Sequence, residues 1–171
     1  IINDISAMKN DPDMVNVAAK YAVPIIMMHM QGTPQTMQVA PTYDDLIGEI
    51  KEFFKSLIDS AVAKGVSRTK IIIDPGIGFG KTLKHNLRII KKLADFNMLD
   101  VPILIGPSRK SFLRTLLKDE LKEKSEHDVF SLIEAGTQAA VSAAALNGAH
   151  IVRVHDVAGT RKTLKIIDAI N

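Results

Sequence analysis

The 171-residue sequence contains no cysteine and no tryptophan, and only two tyrosines. Without thiols there can be no disulfide, thiolate zinc site, iron–sulfur cluster or cysteine nucleophile. So few flat rings leave no stacking platform for single-stranded nucleic acid. Unbroken apolar runs are short, Val23 to Met28 being typical, which predicts no membrane-spanning segment. The start shows no basic stretch followed by an apolar one, so no secretory signal is read and a cytoplasmic location is expected. Charge of one sign is also lacking. The 22 basic and 19 acidic residues leave a net charge of +3, too balanced to imply nucleic acid and suited to an anionic small molecule. What remains is 46% hydrophobic and 24% charged, with mean hydropathy +0.10, as expected of a folded domain.

The chain opens on Ile1 rather than Met, at a residue of strand character, which predicts a fragment or a processed piece. Strand-like and helix-like stretches then alternate. Strands are expected at Ile1–Ile5, Val23–His29, Lys70–Asp74, Val101–Ile105 and Ile151–His155. Helices are expected from Asp11-Pro12 to Tyr21, from Thr42 to Gly65, and over Leu83–Asp95, Ser111–Leu117, Asp128–Asn147 and Thr160–Ile170. Thr42 with Asp45 resembles a capping box, and Gly65 is a natural helix stop. Lys118 to His127 reads as a solvated excursion. No two strands are close enough for a hairpin, so they must pair in parallel with helices covering the sheet. An open doubly wound sheet and a (β/α)8 barrel both satisfy this pattern. One domain, residues 1–171, is expected.

In parallel α/β folds, chemistry gathers at the carboxyl ends of strands. Here those ends carry Asn3 and Asp4, then His29, then Asp74, then Ser108 to Ser111, then Arg153, His155 and Asp156. Polar residues mark loops in any fold, so one alone says little; five coincident ends point to a site. Side chains alternate along a strand. Asn3 therefore shares a face with Ile1 and Ile5, Asp74 with Ile72, and Arg153 and His155 with Ile151; if those faces point into a barrel, the four converge near its mouth. Asp4, His29 and Asp156 would then point outward, where structural roles are expected.

Two stretches stand out. Asp74-Pro75-Gly76-Ile77-Gly78-Phe79-Gly80-Lys81 has alternate glycines and fits neither a Walker A loop nor a dinucleotide fingerprint. It is a tight turn that brings backbone close to a ligand just after a carboxylate. Gly106-Pro107-Ser108-Arg109-Lys110-Ser111 places two cations and two hydroxyls where a helix begins, a setting that favours anions. Met27, Met28, Met30 and Met37 surround the second strand, chiefly as gap-fillers. His85, His127 and His150 lack metal-ligand spacing, and neither HExxH nor GxSxG occurs.

Together with Ile2-Asn3-Asp4-Ile5-Ser6, Met28-His29-Met30-Gln31-Gly32-Thr33-Pro34, Ser108-Arg109-Lys110-Ser111-Phe112 and Ile151-Val152-Arg153-Val154-His155-Asp156-Val157, the glycine-rich stretch resembles the dihydropteroate synthase family, in the family's order and over essentially the whole chain. The resemblance implies an α/β fold, an incomplete TIM (β/α)8 barrel whose strands correspond to the fourth to eighth, with the N-terminal third absent. About 250 residues are typical of a complete barrel. An incomplete one is expected to expose strand edges and apolar interior.

The implied activity is that of a transferase in folate biosynthesis. It joins p-aminobenzoate to 6-hydroxymethyl-7,8-dihydropterin diphosphate, giving 7,8-dihydropteroate and pyrophosphate, and is a sulfonamide target. By that resemblance Asp74, Lys110, Arg153 and His155 are the catalytic candidates. Asp74 and Asn3 would hold the pterin edge, Met28 its face, and Lys110 its oxygen side. Arg153 and His155 would take the diphosphate. Ser111 would receive the p-aminobenzoate carboxylate, with Phe79 lining that pocket. Mg2+ is the implied cofactor, its ligands expected in an N-terminal part, and no residue here is assigned to it. A homodimer is implied, with the Ala-rich helix at Asp128–Asn147 either in the interface or packed closely on the barrel; no nucleic acid or membrane partner is expected. Little turnover is expected of this piece alone. Competing readings are a pterin-binding barrel of the methyltetrahydrofolate methyltransferase type and a non-catalytic structural fragment.

Overall fold

The computed structural model describes residues 1–33, 35, 37 and 39–170; Pro34 of the second motif lies outside them. The elements are β1 (Ile2–Asp4), α1 (Met14–Tyr21), β2 (Ile25–Met28), α2 (Leu46–Ala63), β3 (Ile71–Asp74), α3 (Leu83–Lys91), β4 (Leu104–Ile105), α4 (Ser111–Leu116), α5 (Glu126–Leu146), β5 (Ile151–Val152) and α6 (Val157–Ile170). Short 3₁₀ turns occupy Arg68–Lys70 and Leu93–Leu99.

All strand pairs are parallel and follow chain order. Ile26 stands opposite Asn3 and Ile72, and Met28 opposite Asp74. β4 pairs with β5, Leu104 opposite Ile151. An isolated parallel bridge between Ile73 and Ile103 joins the two groups. A doubly wound sheet reverses strand order at a switch point and carries helices on both faces. Here the order never reverses, and the two faces differ in kind. Ile25, Met27, Ile71, Ile73, Ile103 and Ile105 belong to the main core with helical residues such as Phe54, Ile58, Ile89 and Phe96. On the other face Ile26, Ile72 and Leu104 form a separate cluster without helical members. This is an arc of a (β/α)8 barrel, its helices outside and its strand interior inward.

Several helix ends differ from expectation. α1 starts at Met14 rather than Pro12, because the Asp11 carboxylate accepts from the Asp13 amide (3.0 Å) and holds a turn there. The Thr42–Asp45 capping box does not form. Thr42 instead exchanges hydrogen bonds with the Gln31 side chain, and the Glu49 carboxylate accepts from the Asp44 and Asp45 amides (2.8 and 2.9 Å). Thr160 is not a cap either. Asp156 accepts from the Gly159 amide (2.9 Å), so α6 begins a turn earlier and Thr160 is buried within it. Gly65 does follow the end of α2 at φ +93°.

By length and composition α5 is long and apolar enough to cross a membrane, which unbroken apolar runs did not reveal. It packs against α3, α4 and α6, burying Ile133, Thr137, Val141 and Ala144. Its Gln138 bonds Thr160 and Thr163 on α6. Small residues permit these approaches: a Cβ on Gly136 would meet Leu117 at 3.1 Å. The expected exposure of barrel interior is met at the two edges of the arc, where Ile1 and Ile151 are exposed, whereas Ile26, Ile72 and Leu104 between them are buried. Val157, Ile166 and Ile170 on α6 are exposed as well. A groove lined by Leu104, Ile151, Val152, Val157 and Leu164 runs beside β5.

Phe54 is fully buried where α2 meets the sheet. Phe54→Ala is expected to cost about 3–5 kcal/mol of unfolding free energy. Exposed Met98→Ala should stay within about 0.5 kcal/mol. Urea titration of both variants checks the pair.

Candidate active site

Strand alternation sends Asn3, Asp74 and Arg153 to the inner face, where they meet. The Asp74 side chain is 1% exposed. One carboxylate oxygen accepts from the Gly76 amide at 2.8 Å and the other from Arg153 Nη2 at 2.6 Å. Arg153 Nη1 donates to Asn3 Oδ1 at 3.0 Å. The guanidinium thus forks across the mouth, from the end of β5 to the ends of β3 and β1. A carboxylate so buried needs such compensation.

Around this fork lies a cavity of about 310 Å³ lined by Asn3, Phe79, Ser108, Lys110, Arg153 and His155, among others. Lys110 Nζ stands 4.1 Å from the Phe79 ring centroid, a cation–π contact. Burial, and then the charge of Arg153, push the Lys110 ammonium below its usual range, with Asp74 opposing. Ser108 Oγ lies 2.8 Å from His155 Nδ1 and also accepts from the His155 amide (3.3 Å). A hydroxyl carries one donor and two acceptor lone pairs, so Ser108 can pair with Nδ1 in either tautomer of the ring while fixing its orientation.

Not every candidate joins the cup. Met28 is buried, opposite Asp74 in register, and lines an adjacent cavity with Ser6, Lys9 and Met30. Ser111 is exposed at the start of α4 and outside the cavity lining. Of the two cations in the Ser108–Ser111 cluster only Lys110 faces the cavity. Arg109 (φ +56°) turns to Glu134, 3.1 Å away, and to the face of Phe130. The outward trio is structural as expected. Asp4 holds the turn at Ser6, Asp156 caps α6, and His29 is buried.

Sequence reasoning missed what lies beneath the glycine loop. Lys81 is 3% exposed. Its Nζ contacts His29 Nδ1 at 3.0 Å, the Phe79 carbonyl at 3.0 Å and the His29 carbonyl at 3.4 Å. When Lys81 is charged its ammonium can only donate, so Nδ1 then accepts and the neutral imidazole carries its proton on Nε2. The signal available in sequence was a lysine closing a loop of small residues. Glycine is required here for approach. A Cβ on Gly76 would lie 2.0 Å from the His29 carbonyl oxygen, and one on Gly80 2.5 Å from that of Gln31.

Burial, with the charges of Lys81 and Lys9, pushes His29 down to about 3 from 6.5. Burial pushes Lys81 down to about 7 from 10.5, with Asp74 opposing. In each case the unfolded chain holds more protons across the interval. Stability should therefore rise with pH between about 3 and 6.5 through His29, and between about 7 and 10.5 through Lys81. Urea midpoints measured across both windows check this. His29→Gln is expected to flatten the acid limb and leave the alkaline one.

The chain was compared with known proteins. Residues 1–155 match the profile of the pterin-binding enzyme family. The dihydropteroate synthase of Escherichia coli K12 is 39% identical over 169 residues, covering 99% of this chain and 56% of that protein. A crystal structure of Yersinia pestis dihydropteroate synthase with a sulfonamide drug superposes with TM-score 0.89 at 38% identity, covering 99% of this chain and 58% of that one. The Xanthomonas albilineans enzyme in complex with 7,8-dihydropteroate gives TM-score 0.84 at 35% identity, covering 99% and 60%. The chain thus spans little over half the length of these relatives. With the buried carboxylate at the third strand end, the sequential parallel arc and a profile match over nine-tenths of its length, this chain belongs to the pterin-binding enzyme family.

Proposed function

We propose that this chain forms the pterin- and diphosphate-binding portion of a dihydropteroate synthase. The observation that carries the reading is the Arg153 fork on Asp74 and Asn3. A guanidinium is a flat edge of N–H donors. The pterin's amino-pyrimidine edge offers donors of the same planar kind, so the acceptor pair that holds Arg153 suits the heterocycle. When the ring takes Asp74 and Asn3, the guanidinium is released beside Lys110 and His155, where the diphosphate tail would lie.

In the proposed reaction the amine of p-aminobenzoate attacks the methylene carbon of the dihydropterin. The new C–N bond forms as the C–O bond to diphosphate breaks, and the leaving group carries away the electron pair. The amine then gives up its proton to the medium. Arg153, Lys110 and His155 neutralise charge on the departing oxygens. Asp74 holds the ring in plane by charge-assisted hydrogen bonds. Met28 supports its face, and Phe79 with the Lys110 stem forms an aromatic wall for p-aminobenzoate. Ser111, next to Lys110, is assigned the carboxylate.

Mg2+ prefers several oxygen ligands in octahedral array. Among the described residues no three His, Asp or Glu gather for a metal, and Asp74 and Asn3 already accept from Arg153. These residues do not fit the ion, and no step is derived through it. The relatives solved with a sulfonamide drug and with 7,8-dihydropteroate support the assigned ligands. The reading extends to a homodimeric cytoplasmic transferase, with little turnover by this chain on its own.

Asp74→Asn keeps the shape of the side chain and removes its charge. It is expected to weaken binding of 6-hydroxymethylpterin about tenfold or more, as loss of a charged hydrogen bond implies. Calorimetric titration of both proteins measures it, and equal affinities would sink the assignment. Pyrophosphate release by the full-length enzyme separates this reaction from methyl transfer.

A further inference from the structure

We propose that Lys81 is a positioning residue for the aromatic wall: its buried side chain ties the Phe79 carbonyl to His29 and so sets where the Phe79 ring meets Lys110. The loop from Pro75 to Gly80 has three glycines; Ile77 anchors its middle in the main core, and the Phe79 amide donates to the Gly76 carbonyl (3.1 Å), while the Phe79 side chain is only half-buried. Lys81 turns back beneath it, so that the end of β2 and the loop after β3 share one nitrogen. Three acceptors match the three hydrogens of an ammonium. Tyr43 Oη donates to the Gly80 carbonyl (2.8 Å) and Asn86 Oδ1 accepts from the Gly78 amide (2.8 Å), which hold the loop's flanks. Neither reaches Phe79.

A buried ammonium is costly to remove from water, and an apolar side chain would fill the same space without that cost. The retained cation is explained by the conformation it specifies. The two halves of the cup are separable in this respect. Asp74 takes its hydrogen bonds from Gly76 and Arg153, whereas Phe79 alone among the lining residues is held through Lys81. Lys81 therefore acts on the aminobenzoate side through a direct hydrogen bond and on the pterin side through the more distant charge of Asp74, an assignment of ligands that rests on the function proposed above.

The test uses the 171-residue chain with ring-labelled phenylalanine, the Phe79 signals being assigned through Phe79→Leu. In Lys81→Met those signals should shift and broaden, while the Met28 methyl and Arg153 Nε signals stay in place. Lys81→Gln, which keeps one donor for the Phe79 carbonyl, should restore much of the original position; Lys81→Leu is read in place of Lys81→Met if that variant does not fold. Unchanged Phe79 signals in folded Lys81→Met or Lys81→Leu overturn the proposal. In the unsubstituted protein below pH 7, where Lys81 is charged, the 15N shifts of His29 should show an unprotonated Nδ1; a proton there overturns it too. On the same variant, p-aminobenzoate affinity should fall about tenfold, with 6-hydroxymethylpterin affinity changing less than about threefold. Equal losses would mark a general structural role. If the unsubstituted chain binds neither compound, the function proposed above fails and the ring signals still decide the role of Lys81.

Discussion

A carboxylate almost wholly removed from water governs the mouth of this arc. Asp74 ends a strand whose other residues are three isoleucines, so its charge is stable only if donors are supplied from elsewhere. The backbone supplies one at Gly76 and Arg153 supplies the other, from the far end of the arc. That second donor is mobile in principle, being a long side chain 40% exposed. A site whose internal donor can be exchanged for a ligand's donors is already shaped for that ligand.

Backbone proximity is the second constraint. The loop after β3 lies directly across the end of β2, close enough that a methyl group at Gly76 or Gly80 would strike carbonyl oxygens. Close approach leaves no room for water, so the polar groups trapped there must satisfy one another. Lys81 and His29 do so beneath the loop, with the His29 ring set edge-on to Phe53 at 4.9 Å. The cost of this arrangement is carried as pH-dependent stability rather than as a loss of structure.

The cations of the cup are sorted by local backbone rather than by their order in sequence. Arg109 and Lys110 are neighbours, yet the left-handed turn at Arg109 sends its guanidinium to Glu134 on α5 and leaves Lys110 facing Phe79. One residue thus anchors the outer helix layer and the next lines the cavity. Ser108 stands just before them and holds His155 through both its ring Nδ1 and its amide.

Much of this was legible in the residues themselves. Strand periodicity of two separated Asn3 from Asp4 and Arg153 from Asp156, because alternation is a property of any extended backbone, and a barrel then put Asn3, Asp74 and Arg153 on its inner face. The glycines of the Asp74–Lys81 stretch likewise announced close packing. Helix starts were less legible at Thr42 and Thr160, since caps are contests between nearby side chains that Glu49 and Asp156 won. Strand periodicity left the arc and a doubly wound sheet open, and the order of the motifs implied the arc. Only the tertiary structure turned Arg109 away from Lys110, paired Arg153 with Asp74 seventy-nine positions earlier, and buried Lys81 against His29. Each of those outcomes joins residues distant in the chain or depends on one backbone angle, and local sequence carries no energy term for either.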